Sequence, residues 1–98
     1  MNHYMVNVIL PKELNEEFIS LIPRQRAQVN ELMDEGIVTS YSLARDRSRL
    51  WVTIAAESEE EVIKIMNDFP LIKFFTLEIR ELMFHNHMRL TMPQMSLN

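Results

Sequence analysis

The stretch IVTSYSLARDRSRLWVTIAA, residues 37–56, decides the fold. Two runs rich in β-branched and aromatic side chains, 37–44 and 49–56, flank the polar tetrapeptide RDRS at 45–48. Runs of this kind around a short polar break predict a β-hairpin. Helical patterns stand on both sides of it. From Lys12 to Glu35 the apolar positions Phe18, Leu21, Ile22, Val29, Leu32 and Met33, with Gln25, fall on one stripe at the helical period. Pro23 interrupts that run and predicts a kink or a two-piece helix, because it has no N–H to bond back to Ile19. Gly36 follows the last apolar pair, where a left-handed C-terminal cap is expected. On the other side, Ser58-Glu59-Glu60-Glu61 reads as a capping box opening a second helix through Val62, Ile65, Met66 and Phe69, which Pro70 closes.

Working outward, YMVNVIL at 4–10 and residues 74–84 complete the pattern as first and last strands. The order is β-α-β-β-α-β, an α+β ferredoxin-like arrangement: a four-stranded antiparallel sheet with two helices on one face. Alternation along the strands assigns Tyr4, Val6, Val8 and Leu10 to the helix side. The opposite face is assigned Met5, Asn7, Ile9, Val38, Ser40, Ser42, Trp51, Thr53, Thr76, Glu78 and Arg80. That face is half apolar and carries the single tryptophan, a patch that monomers rarely leave in water. A second sheet laid against it gives a homodimer, a dimeric α/β barrel.

The bulk numbers bound the function. A chain of 98 residues suits one domain. A formal net charge of −4 with no basic stripe argues against nucleic acid as partner. The absence of cysteine removes thiolate chemistry, and a single glycine leaves nothing for a phosphate-cradling loop or a dinucleotide fingerprint. The N-terminus lacks the basic and small-residue features of a signal peptide, and no apolar run approaches the ~20 residues a membrane span needs. A cytoplasmic protein without membrane contact is expected.

The segment MNDFPLIKFFTLEI at 66–79, with ELMDEGIV, VILP and His85, resembles the muconolactone Δ-isomerase family over roughly residues 3–87. The resemblance implies a ferredoxin-like subunit that pairs into a barrel and assembles into larger rings, with a role in the catabolism of aromatic compounds. It implies a cofactor-free reaction that moves a proton within a small unsaturated lactone bearing a carboxylate. Such a reaction needs one base, with cations or N–H donors for the carboxylate and the developing enolate. On this basis His3, Glu78 and His85 are the candidate catalytic residues, matching a histidine, a glutamate and a histidine of the family. The chain departs from the isomerases at Val38, Ser42 and Leu43, where they carry tryptophans and an arginine. It departs again at Gln25 and Thr76, where they carry acids.

Each candidate also has a reading from the residue alone. Glu78 is a general base if buried, or else the ion-pair partner of Arg80 or of an arginine from a second subunit. His3 is an acid–base group near neutrality or a surface residue. His85 and His87 would share a strand face, but no third ligand accompanies them, so no metal is assigned. Asn7, Arg24, Trp51 and Arg80 are the candidate substrate-binding residues. Asn7 is polar beside His3, the arginines suit carboxylates, and Trp51 walls a pocket or fills the dimer core. Three functions remain open on this scaffold: the isomerase, a non-catalytic ligand-binding or oligomeric relative, and a cofactor-free monooxygenase. Residues 1–87 form the expected domain. The tail, 88–98, holds Met88, Leu90, Met92, Met95 and Leu97, which have no place in the core and are expected to pack on a neighbouring subunit.

Overall fold

The computed structural model describes residues 1–86. His87 and the expected docking tail lie outside the described residues. The elements follow the expected order: β1 (Asn2–Ile9), α1 (Glu16–Asp34), β2 (Val38–Leu43), β3 (Arg49–Ala56), α2 (Glu59–Asn67), a 3₁₀ turn (Ile72–Phe74) and β4 (Thr76–Glu81). The strands form one antiparallel sheet in the order β2-β3-β1-β4, which is the ferredoxin-like topology.

Local chemistry sets the helix ends. The Asn15 side chain accepts from the Phe18 N–H at 2.8 Å, so α1 begins at Glu16 rather than at Lys12. Pro23 does not split the helix, which runs unbroken for 19 residues. Pro23 is exposed, so the Ile19 carbonyl freed by its missing N–H faces the solvent side. At the far end Gly36 takes φ +77°. Its N–H bonds to Met33 O at 3.0 Å, and the Ile37 N–H bonds to Leu32 O at 2.9 Å. These paired bonds are the Schellman motif, so the expected cap is present. Ser58 caps α2, its hydroxyl accepting from the Glu61 N–H at 3.2 Å. The β2–β3 turn is closed by Asp46, whose Oδ1 accepts from Ser48 N (3.0 Å) and Oγ (2.6 Å). β4 is shorter than the run at 74–84, because the 3₁₀ turn takes Phe74.

The core lies between the helices and the inner sheet face. Val6, Val8, Val52 and Ile54 from the two central strands meet Val29 of α1 and Val62, Met66 and Phe69 of α2 and its end, all buried. Burial of this apolar surface is the main stabilising contribution. One expected face assignment is corrected. Val38 is buried in this core, at 2% exposure, rather than on the outer face. The register slips between Val38 and Ser40, so Thr39 is the extra residue of a β-bulge. The slip turns Val38, Tyr41 and Leu43 toward the helices and leaves Ser40 and Ser42 outside.

Candidate functional site

The sheet separates two polar environments. The outer face carries most of the residues picked from the sequence. Asn7, on central strand β1, stands opposite Trp51 on β3 and Glu78 on β4. Its Nδ2 donates to Glu78 Oε1 at 3.0 Å. Its Oδ1 is buried and has no hydrogen-bond partner among the described residues. Arg80 is opposite Met5 and bonds the Ile79 carbonyl through Nη1 at 3.2 Å. Among the described residues Glu78 and Arg80 form no ion pair with each other, although they share a face. Both are exposed, and Trp51 is 39% exposed.

His3 lies at the other end of this face. The chain beyond β4 keeps one bond to β1, Leu82 N–H to His3 O at 2.8 Å, and then crosses the sheet. That path sets the His85 ring 5.2 Å from the His3 ring and its Nε2 3.3 Å from Thr39 Oγ1 of the bulge. The two histidines are therefore together. They stand four strand residues, about 13 Å, from the Asn7–Glu78 pair. Arg24 is on α1, across the sheet from all of them, and is exposed. The structure thus brings the sequence candidates into two groups and leaves Arg24 apart.

The inner side holds a concavity that strand alternation does not reveal. A cavity of about 480 Å³ opens between α1, the β2–β3 hairpin and the segment before β4. Phe18, Ile22, Val29, Leu50, Leu71 and Phe75 are among its apolar lining, and that size suits a small organic molecule. Its polar floor is Gln25, 3% exposed. Gln25 Oε1 accepts from the Leu71 N–H at 3.2 Å, and Nε2 donates to the Tyr41 hydroxyl at 3.2 Å. Burial raises the Tyr41 pKa above its ordinary value, against smaller lowering effects from the Gln25 bond and the Arg26 charge. Arg26 and Arg47 line the cavity, and among the described residues neither a carboxylate nor an imidazole does so. Arg47 sits in the left-handed region at φ 64° in the hairpin. In the sequence Gln25 reads as one member of a helical stripe and Tyr41 as a strand aromatic. The available signal was the polar residue on an otherwise apolar stripe, since a buried amide needs partners.

The family model for muconolactone delta-isomerase matches residues 3–88. The chain belongs to this family. No curated protein matches it closely enough to count as a relative. Among the described residues no helix is long and apolar enough to cross a membrane.

Proposed function

We propose that this member of the muconolactone delta-isomerase family binds a small, largely apolar carboxylate or lactone in the cavity between α1 and the sheet, and moves no proton there. One observation carries the proposal. The cavity's polar floor is a neutral amide and a phenol, and among the described residues no lining group is a base at neutral pH. Taking a proton from carbon requires a base within reach whose pKa lies near the working pH. Gln25 has none to offer, at the position where the isomerases the chain resembles carry an acid. Tyr41, with its pKa raised, is still further from serving. The test is a screen of unsaturated lactones and small carboxylates by thermal shift, with hits followed by calorimetry and by a turnover assay. Saturable binding without turnover is expected. Turnover of a lactone by the native protein that Tyr41→Phe or Gln25→Leu abolishes would overturn the proposal.

A second reading is favoured by the Asn7–Glu78 contact. There the protein is a cofactor-free isomerase working on the outer face. Glu78, held by Asn7, takes a proton from one carbon of the lactone and returns it to another. Arg80 faces the carboxylate and Trp51 the ring. His3 and His85, about 13 Å away along β1, would act on a separate part of the face. This chemistry needs water excluded, which calls for a second copy over the sheet. Sedimentation of the native chain above 11.7 kDa supports that cover, and an 11.7 kDa species alone at micromolar concentration removes it. Either function fits a cytoplasmic protein.

A further inference from the structure

Donor and acceptor chemistry fixes the direction of the hydrogen bonds under the cavity. A backbone N–H only donates, so the Gln25 atom facing Leu71 N must be the amide oxygen. The other end of that amide, Nε2, then faces Tyr41 and only donates. The Tyr41 oxygen is therefore an acceptor in this bond, and its own proton is left over. Among the described residues no acceptor takes that proton, while Tyr41 lines the cavity. The relay from Leu71 through Gln25 to Tyr41 spans the strand-proximal turn, the helix and β2, so packing holds it in place. Donation from Gln25 also polarises the phenol, making its O–H a better donor.

Among the described residues, the charge on the cavity lining has one sign. The chain carries a net charge of −4, yet among the described residues the ionisable cavity groups besides Tyr41 are Arg26 and Arg47. Neither arginine makes an ion pair among the described residues. Arg26 follows Gln25 in the helix, and its charge is felt at the phenol.

Resting on the cavity-binding proposal, we propose that Tyr41 is the specificity-determining donor of this site. It selects an organic anion whose carboxylate accepts from the Tyr41 hydroxyl and faces Arg26, with an apolar body between Phe18, Ile22 and Leu50. A charge-assisted bond at one end and apolar burial at the other make an amphiphilic acid the matching guest. A neutral analogue keeps the tyrosine bond and loses the guanidinium.

Calorimetry with 3-phenylpropanoate and its neutral isostere 3-phenylpropanamide tests this. The native protein is expected to bind the carboxylate about tenfold more tightly than the amide. Tyr41→Phe keeps the ring and removes the donor, so the carboxylate is expected to weaken by about tenfold and the amide also to weaken. Arg26→Gln is expected to bring the carboxylate to the level of the amide and leave the amide unchanged. Lys64→Gln on α2 serves as a control outside the cavity, and melting temperatures verify that each variant is folded. Binding of both probes with Tyr41→Phe equal to native overturns the assignment to Tyr41 alone. Equal affinity for the two probes overturns the anion preference. If neither probe binds the native protein, the cavity-binding proposal falls and this one with it.

Discussion

The Gln25 carboxamide and the Tyr41 phenol are joined at 3.2 Å across sixteen residues of sequence, with the amide oxygen anchored on the Leu71 N–H. Gln25 is almost wholly buried, and its amide serves the buried Leu71 N–H directly. Gln25→Leu keeps the bulk and strands the Leu71 donor. A loss of about 1–3 kcal/mol is expected in urea unfolding, with the slope unchanged. An unchanged midpoint would mean that the amide contributes nothing to the fold.

Alkaline pH gives a second measurement. Burial raises the Tyr41 pKa in the folded chain, so the unfolded chain ionises first. A proton held more tightly when folded contributes stability that is fully present below the unfolded value of about 10. That stability is lost as pH rises from there through the folded value. Tyr41→Phe is expected to flatten this limb of a stability–pH curve. The phenolate absorbance of native protein should appear at higher pH than that of the unfolded chain. Coincident titrations would contradict the burial of the hydroxyl.

On the outer face, Glu78 is exposed and bonded to neutral Asn7, and among the described residues no buried cation depends on it. Glu78→Gln is therefore expected to alter stability by no more than about 0.5 kcal/mol. If Glu78 is the base of an isomerase, the same variant loses turnover by roughly 10²–10⁴-fold. A drop of about 3–5 kcal/mol would instead reveal a partner subunit's charge buried against it. Thermal unfolding and turnover of the one variant separate the three outcomes.

Gly36 is the place where the backbone requires glycine. A Cβ there would meet no atom within 4 Å, so crowding is not an issue, but φ is +77°. Gly36→Ala is expected to cost about 1–2 kcal/mol through the left-handed conformation alone. Gly36→Asn should recover part of that loss, and equal stability of all three chains would refute a conformational role.

The number, order and kind of the elements were legible from local chemistry. The ends of α1 at Gly36 and of α2 at Ser58 are set by residues within a few positions of the bonds they make, and strand alternation gave the face of Tyr4, Val6 and Val8. Asn15 as the start of α1 was also local in principle, since an asparagine stands just before two glutamates.

Alternation failed where it must, at the Thr39 bulge, because an inserted strand residue shows only against its neighbour's register. The resemblance drew attention to Glu78, His3 and His85, yet only the folded chain pairs His3 with His85 and Glu78 with Asn7, 71 positions away. The cavity likewise has no linear signature. It is bordered by a helix, a hairpin and a turn, and the Leu71–Gln25–Tyr41 relay joins residues 46 and 16 positions apart. Hydrophobic periodicity and capping act within a few residues of the chain, and so the sequence by itself determined the order of the elements and the inner face of β1, but not that of β2. Hydrogen-bond direction, register and enclosed volume depend on which segments meet, and only the tertiary structure decided those.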